Sequence, residues 1–242
     1  METAQFKVFR FDPTVDKKFR FDTFKVELRE GMTVLEGLFY IQENLDGSLA
    51  FRSSCRAGVC GSCAMHINGR YRLACETQIA HLKSSSVKIR PLAHLPVFKD
   101  LFVDMENFWR KYKEIKPYLI PGDPPPERER VQSQDERARI DFIIDCILCA
   151  ACYAGCPVNL YDEEYLGPTA LLKANRFFQD SRDSAKVERL ELVDGLHGVW
   201  RCHTIYNCQE VCPKEIDPTA SIANLKRHLI GQKLRISVFR RL

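Results

Sequence analysis

The chain has 242 residues, enough for one large or two modest domains. Its net charge of +4 is too small to indicate nucleic-acid binding, and its 45% hydrophobic and 28% charged residues are ordinary for a protein with a packed core. Cysteine is the exception. There are eleven, an odd number that excludes a pure disulfide framework, and their C-x-x-C clustering favours metal ligands and a reducing compartment.

We predict no membrane span and no leader. No apolar run approaches the roughly 18 residues that a span requires, and the best, residues 140–158, contains two aspartates. The start at Met1 lacks a basic and an apolar leader region, although removal of a presequence from a mature chain stays open. The basic tail from Arg235 to Arg241 is either solvated or a contact to acidic lipid or a partner.

A hairpin and a helix open the chain. Residues 5–11 and 19–29 are rich in Phe and Val, and the second stretch alternates apolar with polar residues, the period of a half-buried strand. The Asp12-Pro13 turn between them makes the pair a hairpin. A capping box at 33–36 then begins a helix that ends near Gly47. Its predicted buried face consists of Val34, Leu38, Ile41 and Leu45.

Four cysteines follow in the spacing C-x4-C-x2-C-x11-C, the plant-type pattern of a [2Fe–2S] site. Gly58 and Gly61 allow backbone N–H groups to turn toward the sulfurs, where amide donors tune a cluster. Asn68-Gly69 indicates a type I′ hairpin that returns the fourth cysteine to the others. A zinc site is the alternative, and the glycine-bearing loop argues against it. The predicted [2Fe–2S] ligands are Cys55, Cys60, Cys63 and Cys75.

A last strand at 87–90 completes a predicted β-grasp ferredoxin domain, which we place at residues 1–96, with a second domain at 97–242. Residues 98–116 predict an amphipathic helix whose aromatic stripe packs into a core. The proline-rich segment 121–126 predicts an extended connection. The stripe consists of Phe98, Leu101, Phe102, Met105, Trp109, Tyr112 and Ile115.

The second half predicts helices only. They cover 136–145, 167–180, 184–194 and 217–231, the last beginning with an Asp-Pro N-cap. We therefore predict an α+β chain in which an all-α, bacterial-type two-cluster ferredoxin domain follows the β-grasp domain.

Two cysteine runs in this half predict two clusters. The first is C-x2-C-x2-C-x3-C-P, in which three thiolates bind one cubane and the fourth ligates another cluster. The second run has Ile205 where the first has Cys149, so it is one ligand short. If the last cysteine of each run ligates the cluster of the other run, a [4Fe–4S] cluster has the ligands Cys146, Cys149, Cys152 and Cys212. The remaining ligands are Cys156, Cys202 and Cys208, which predict a [3Fe–4S] cluster or, as the alternative, a [4Fe–4S] cluster with one labile iron.

Four, four and three ligands account for all eleven cysteines. No dinucleotide fingerprint, P-loop or Ser/His/Asp set accompanies them. Three clusters without a flavin or nucleotide site predict a chain that passes single electrons between partners. A three-iron centre usually has a high potential and should face the more oxidising partner.

Together the three cysteine motifs, in this order, resemble the iron–sulfur subunit of succinate dehydrogenase and quinol:fumarate reductase, the complex II family. The resemblance covers essentially the whole chain. It extends to stretches outside the cysteine spacing, namely Ser54-Cys55-Arg56, Cys60-Gly-Ser-Cys63, Lys116-Pro117-Tyr118, Asp180-Ser181-Arg182-Asp183 and Cys212-Pro-Lys214.

The resemblance implies an enzyme subunit that transfers electrons and does not bind the dicarboxylate itself. Its implied partners are a flavoprotein subunit with FAD, which interconverts succinate and fumarate, and a membrane anchor, often with haem b, that binds quinone. Electrons would pass from flavin through [2Fe–2S], [4Fe–4S] and [3Fe–4S] to quinone. The implied location is peripheral, on the inner face of the bacterial cytoplasmic membrane, or on the mitochondrial matrix side if a presequence was removed.

The resemblance also implies a quinone wall beside the [3Fe–4S] site. Tyr161 stands where ubiquinone-using members often have Trp. For His203 the alternative is a hydrogen bond to nearby backbone, and for Lys226 it is a solvated helix position. The implied quinone-vicinity residues are Pro157, Tyr161, His203, Ile205 and Lys226.

Three other interpretations compete with this one. The first is a fumarate reductase subunit that runs in the reverse direction. The second is a subunit of another flavin dehydrogenase or a heterodisulfide-reductase-like enzyme, which usually carries two complete cubane motifs or CCG repeats. The third is a zinc or redox-sensing interaction module.

Overall fold

The computed structural model describes residues 3–122 and 124–239, with side chains as far as Leu234. The described residues form two compact units. The first unit comprises the chain up to Asn107 with Ile147–Gly155 and Val211–Pro213. The second unit comprises Phe108–Cys146, Cys156–Glu210 and the chain from Lys214 onward.

A five-stranded mixed sheet forms the frame of the first unit. Its strands are β1 (Thr3–Arg10), β2 (Arg20–Glu27), β3 (Ala64–Ile67), β4 (Arg70–Leu73) and β5 (Ser86–Arg90). The order is β2-β1-β5-β3-β4, in which β1 and β5 are parallel and the other neighbours antiparallel. The predicted first hairpin is confirmed as β1 and β2. The predicted two-residue turn is also confirmed, since Asn68 and Gly69 have φ of 44° and 86° between β3 and β4.

Helix α1 (Val34–Asn44) crosses this sheet, and its beginning is as predicted. The Thr33 hydroxyl accepts the Glu36 N–H at 3.2 Å, and the Glu36 carboxylate accepts the Thr33 N–H at 2.7 Å. A Cβ at Gly37 would lie 2.3 Å from the ring of Phe6 on β1. The absence of a side chain at Gly37 therefore lets α1 lie directly on the sheet.

The predicted buried face of α1 is correct at three of its four positions. Val34, Leu38 and Ile41 are fully buried, but Leu45 is 47% exposed. The prediction for Leu45 was wrong because the helix ends at Asn44 and Leu45 is its C-cap, where the helical period no longer sets the direction of a side chain.

The predicted helix over residues 98–116 is correct in its second part and wrong in its first. Its first part is a small hairpin of β6 (Val97–Lys99) and β7 (Phe102–Val103), and only α2 (Glu106–Glu114) is helical. The stripe is correspondingly broken, with Phe98 at 65% and Trp109 at 37% exposure.

Asp100 explains why the chain turns there. It has φ of 50° and is almost completely buried. Its carboxylate accepts the Arg10 Nε–H at 3.1 Å and the backbone N–H groups of Phe11 and Ala50 at 3.0 Å each. Three partners from two distant parts of the unit, residues 10–11 and residue 50, thus hold Asp100 in a left-handed turn that a helix cannot contain.

The second unit has helices and no strand among its described residues, so the predicted α+β class is confirmed. Its helices after α2 are α3 (Gln134–Ala138), α4 (Asp141–Ile144), α6 (Val158–Tyr161), α7 (Gly167–Gln179), α8 (Lys186–Val193), α9 (Asn207–Glu210) and α10 (Pro218–Phe239). A short α5 (Ala151–Ala154) belongs to the first unit. The predicted helix at 136–145 is thus two separate helices, α3 and α4.

Helix α10 begins as predicted but ends later. The Asp217 side chain accepts the Ala220 N–H at 2.9 Å, as an N-cap does. The helix continues through Gly231 to Phe239, because a single glycine among good helix formers lowers helix stability without ending the helix. The side chains of the predicted basic tail, Arg235 to Arg241, lie outside the described residues.

A buried ion pair anchors the connection after α2. Arg189 donates to Asp183 through Nε (3.0 Å) and Nη2 (2.6 Å), and both residues are almost fully buried. The same guanidinium donates to the carbonyls of Lys116 (2.9 Å) and Tyr118 (2.7 Å). These contacts order the chain that leads out of α2. The apolar core beside them is formed mainly by α7, α8 and α10.

Candidate iron–sulfur sites

The loop from Cys55 to Cys63 has an unusual backbone. Arg56, Gly58 and Gly61 have φ of 58°, 69° and 71°. Repeated left-handed residues turn N–H groups to one side and create a concavity that favours negative charge. The Ala57 N–H donates to Cys55 Sγ at 3.4 Å. The Ala57 donor follows Arg56 and neither of the glycines that the sequence selected, so the role of Gly58 and Gly61 in directing amides at the sulfurs stays a prediction.

Arg56 was missed as a left-handed position, since sequence reasoning looked only at glycine. Its guanidinium carbon lies 4.5 Å from the centroid of the Phe39 ring, within cation–π range. Because Phe39 is on α1, this contact ties the cysteine loop to the helix that crosses the sheet.

The four predicted [2Fe–2S] cysteines approach one another as two pairs, Cys55 with Cys60 and Cys63 with Cys75. Burial opposes ionisation of Cys60, but hydrogen bonds from Ser62 and from Cys55 outweigh it, and the pKa of Cys60 falls to about 6. Burial raises the pKa of Cys63 to about 12, and Cys75 is within hydrogen-bonding reach of it. Cys55, Cys60 and Cys75 are partly buried and Cys63 is buried, and together they would present four thiolates to a [2Fe–2S] cluster.

The plant-type loop packs against the first bacterial-type run, within the first unit. A Cβ at Gly61 would lie 2.8 Å from both Cα and Cβ of Cys149 and 2.9 Å from the Ile147 carbonyl oxygen. Gly61 is thus a point of direct backbone approach between two predicted ligand sets. Of the predicted cubane ligands, Cys149, Cys152 and Cys212 lie in the first unit and Cys146 in the second.

The two bacterial-type runs repeat one local backbone. Residues 146–152 and 202–208 each have left-handed residues at their third and fifth positions. The φ angles are 56° for Leu148, 62° for Ala150, 59° for Thr204 and 67° for Tyr206. Non-glycine residues rarely adopt this conformation, so the match identifies equivalent positions. The fourth position is Cys149 in one run and Ile205 in the other.

A lysine supports the first cysteine of each run. Lys173 on α7 donates to the Cys146 carbonyl at 3.3 Å, and Lys226 on α10 donates to the Cys202 carbonyl at 2.8 Å. Sequence reasoning found Lys226 through the resemblance but gave no reason to select Lys173. The helical register decides which lysine reaches a carbonyl.

The cysteine trio Cys156, Cys202 and Cys208 lines one mostly apolar pocket, the trio pocket. It has about 330 Å³ of empty space, which includes space open to solvent. Cys208 Sγ lies 3.2 Å from Thr219 Oγ1. The buried Tyr165 hydroxyl is hydrogen-bonded to Cys202, and burial first and then the nearby thiols raise the pKa of Tyr165. Tyr165 and Thr219 were missed because they lie far from the cysteines in sequence.

Three of the five predicted quinone-vicinity residues line the trio pocket, namely Pro157, His203 and Ile205. Tyr161 is 80% exposed and is not part of the lining, although α6 joins it to Pro157. Lys226 contacts the trio through the Cys202 carbonyl, so it is not simply a solvated helix residue. Within the described residues, the His203 side chain has no hydrogen bond to backbone.

These donor sets fit iron–sulfur clusters. All eleven cysteines lie in the described residues, and none forms a disulfide. Among those residues no three His, Cys, Asp or Glu side chains converge on one point as ligands of a single ion. Thiolates of a cluster bind different irons and need not converge in that way. The amide-rich loop and the thiol-lined apolar pocket both suit an anionic, thiolate-bound group.

Comparison with known proteins gives two domain matches. Residues 5–110 match a 2Fe-2S iron-sulfur cluster binding domain. Residues 142–216 match a 4Fe-4S dicluster domain. Within residues 3–122 and 124–239, no helix combines the length and apolar character that crossing a membrane requires.

Whole-chain relatives extend these matches. The mitochondrial succinate dehydrogenase [ubiquinone] iron-sulfur subunit 1 of Oryza sativa subsp. japonica is 45% identical over 230 residues, which is 93% of this chain and 82% of the relative. The succinate dehydrogenase iron-sulfur subunit of Paracoccus denitrificans is 41% identical, over 94% of this chain and 88% of the relative.

A solved structure agrees with these relatives. A chain of the Mycobacterium smegmatis Sdh1 complex in the apo form superposes with a TM-score of 0.87 at 30% identity, covering 96% of this chain and 97% of that chain. The chain therefore belongs to the family of succinate dehydrogenase iron–sulfur subunits, the electron-transferring subunits of an oxidoreductase.

Proposed function

We propose that this chain relays single electrons between the FAD of a flavoprotein subunit, where succinate and fumarate interconvert, and a quinone at a membrane anchor. A [2Fe–2S], a [4Fe–4S] and a [3Fe–4S] cluster supply the one-electron carriers when bound. The protein's own part is to hold the thiolates, direct N–H and O–H donors at the sulfurs, and keep neighbouring carriers close. We propose that residues 1–96 form the domain that holds the [2Fe–2S] cluster and that residues 97–242 form the domain that holds the other two clusters.

The contact between Gly61 and Cys149 is the observation that carries this proposal. Gly61 belongs to the [2Fe–2S] loop, and Cys149 is a predicted ligand of the [4Fe–4S] cluster. Backbone approach without an intervening side chain supports transfer between these two carriers. Cys152 lies on α5 and Cys156 follows two residues after the end of that helix, so one short stretch of chain leads from the predicted cubane ligands to the trio.

The three-iron assignment is supported by Ile205, which stands at the fourth position of a run with the same left-handed pattern as residues 146–152. An aliphatic side chain cannot ligate iron, so three thiolates remain. Low-temperature EPR of the oxidised complex should show a three-iron signal. In Ile205→Cys a fourth thiolate becomes available, and we expect that signal to be replaced by a reduced-state cubane signal.

The conservative variant Ile205→Val keeps an aliphatic side chain and serves as the control, with the three-iron signal retained. Absence of that signal from the oxidised wild-type complex would reject the [3Fe–4S] assignment. Iron, sulfide and zinc analysis separates the zinc-module alternative, since the three clusters require about nine irons per chain.

The quinone role is supported by the position of Pro157, His203 and Ile205 around the trio pocket, with His203 exposed. An exposed imidazole beside a terminal carrier can hydrogen-bond a quinone carbonyl. We expect His203→Ala and Lys226→Ala to slow quinone turnover while succinate oxidation with a soluble dye acceptor is preserved. Equal loss in both assays would reject the quinone role for these residues.

We place the chain on the inner face of the bacterial cytoplasmic membrane, or on the matrix side in a mitochondrion, bound through anchor subunits that carry haem b. We favour succinate oxidation over fumarate reduction and over service to another flavin dehydrogenase, because the relatives at 41–45% identity carry succinate dehydrogenase names. The potentials of the three centres, measured together with the copurifying quinone, test this direction.

A further inference from the structure

The carboxylate of Asp162 collects contacts from several segments of the second unit. Its Oδ1 accepts the backbone N–H groups of Glu164 and Tyr165 at 3.1 Å each. His197 Nδ1 lies 3.0 Å from both carboxylate oxygens. Arg201 Nε lies 2.8 Å from Oδ2 as an ion pair, and the Asp162 side chain is only 8% exposed.

The segments that Asp162 joins are those that carry two members of the cysteine trio. Asp162 is the C-cap of α6, which begins directly after Cys156 and Pro157. On the other side, His197 precedes and Arg201 ends a short 3₁₀ helix that leads into Cys202. One buried carboxylate therefore braces the Cys156 segment against the Cys202 segment.

A neighbouring ion pair serves as a comparison, because both of its side chains are exposed to solvent. Arg110 and Glu164 are 3.3 Å apart, but their side chains are 46% and 61% exposed. Exposed pairs of this kind contribute little to structure. Asp162 differs because its carboxylate is only 8% exposed, although His197 and Arg201 are 46% and 38% exposed. It also contacts two backbone N–H groups and two side chains at once.

We propose that Asp162 is a positioning residue for the trio pocket. By holding His197 and Arg201 it fixes the Cys156 segment relative to the Cys202 segment, and with them the pocket walls at Pro157 and His203. The inference rests on the proposed function, since it takes the trio as a cluster site beside the quinone. It adds a residue that neither ligates iron nor touches quinone.

The variant Asp162→Asn tests the brace with the turn preserved. Its side-chain oxygen still accepts the Glu164 and Tyr165 N–H groups, but the negative charge that holds Arg201 is gone. Glu164→Gln is the matched control, because it removes the same charge from an adjacent exposed pair. In the intact complex we would measure the EPR line shape and midpoint potential of the trio cluster, the KM for a short-chain quinone, and iron content.

For Asp162→Asn we expect a broadened trio signal and a rise of about tenfold in quinone KM, the lower end of the effect of outer-shell partners. The [2Fe–2S] signal and dye-linked turnover should match wild type, as should every readout of Glu164→Gln. A merely structural role would not separate quinone KM and trio line shape from dye turnover. Arg201→Lys keeps the charge without Nε and should give a smaller change of the same kind.

If Asp162→Asn and Glu164→Gln give the same trio signal, potential and quinone KM, the positioning role is overturned. If Asp162→Asn fails to assemble, Arg201→Lys decides: an altered trio signal beside an intact [2Fe–2S] signal supports the role, and a wild-type trio signal overturns it. If the wild-type trio gives a cubane signal, only the [3Fe–4S] assignment is rejected. Asp162→Asn and Glu164→Gln are then compared through that cubane signal. A wild-type trio without iron overturns both proposals.

Discussion

The same local backbone conformation occurs twice in the chain, at residues 146–152 and at residues 202–208. Both have left-handed residues at the third and fifth positions, and in both a helix lysine donates to the carbonyl of the first cysteine. They differ at the fourth position, where Cys149 corresponds to Ile205. The comparison shows one backbone pattern with and without a cysteine at its fourth position. We propose that this one side chain decides how many irons each run holds.

Their surroundings differ as well. Gly61 packs directly on Cys149 in the first unit, whereas Ile205 is 49% exposed beside the trio pocket. The fourth position of the first run is therefore covered by the predicted [2Fe–2S] loop, whereas that of the second run is partly open to solvent. The variants of Gly61, Cys149, Lys173 and Lys226 below each remove one of these similarities or differences, and Thr219→Val tests a contact of the trio alone.

The largest effect is expected for Gly61→Ala. The added Cβ would lie 2.8 Å from Cys149 at a φ of 71°, which combines a left-handed cost of about 1–2 kcal/mol with an overpacking cost of about 1–3 kcal/mol. We expect a markedly lower unfolding temperature of the complex and a diminished [2Fe–2S] EPR signal.

Gly69→Ala is the matched control for Gly61→Ala. Gly69 has φ of 86°, but nothing lies within 4 Å of its added Cβ. It should show the conformational cost alone, about 1–2 kcal/mol, with the cluster signal intact. Equal effects of the two substitutions would contradict the close packing of Gly61 on Cys149.

Cys149→Ala should remove one cluster signal while leaving the others. It deletes the ligand that distinguishes the first run from the second, so we expect the reduced-state cubane EPR signal to disappear. Ile205→Ala truncates the equivalent position of the other run, where no ligand exists, and should keep all three signals. Retention of the cubane signal in Cys149→Ala would remove Cys149 from the ligand set.

The two supporting lysines should act on separate clusters. A cation near a cluster favours its more negative, reduced state. A Coulomb energy of about 1 kcal/mol, that of two unit charges about 4 Å apart in water, corresponds to roughly 40 mV for one electron. We expect Lys173→Met to lower the potential of the cubane by that order, and Lys226→Met to lower that of the trio cluster. Redox titration followed by EPR measures both. Shifts of both clusters in each variant would show that the lysines do not act locally.

Thr219→Val should give the smallest effect. It removes the hydroxyl 3.2 Å from Cys208 Sγ and keeps the shape of the side chain. Loss of one hydrogen bond of about 0.5–1.5 kcal/mol corresponds to a lower trio-cluster potential by roughly 20–60 mV. Thr219→Ser keeps the hydroxyl and should retain the wild-type potential. An unchanged potential in Thr219→Val would mean that the hydroxyl does not donate to the thiolate.

Local sequence determined much of this protein. The capping box at Thr33, the Asn68-Gly69 turn and the N-cap at Asp217 depend on residues within four positions of one another, so the pattern alone predicted them. The cysteine spacings belong to the same class, because each run is a short segment. The left-handed non-glycine residues within these runs were not predicted. The ligand sets themselves stay predictions, and so does the missing ligand at Ile205.

Only the tertiary structure decided the rest. Residues 98–103 have the apolar spacing of a helix, but Arg10, 90 positions away, fixes the buried Asp100 in a turn instead. Asp162 reads as an ordinary acidic residue until His197, 35 positions later, is placed against it. Tyr165 and Thr219 reach the cysteine trio only through helix packing. The physical reason is the same in each case: a buried polar group is determined by the partner that satisfies it, and that partner is distant in sequence.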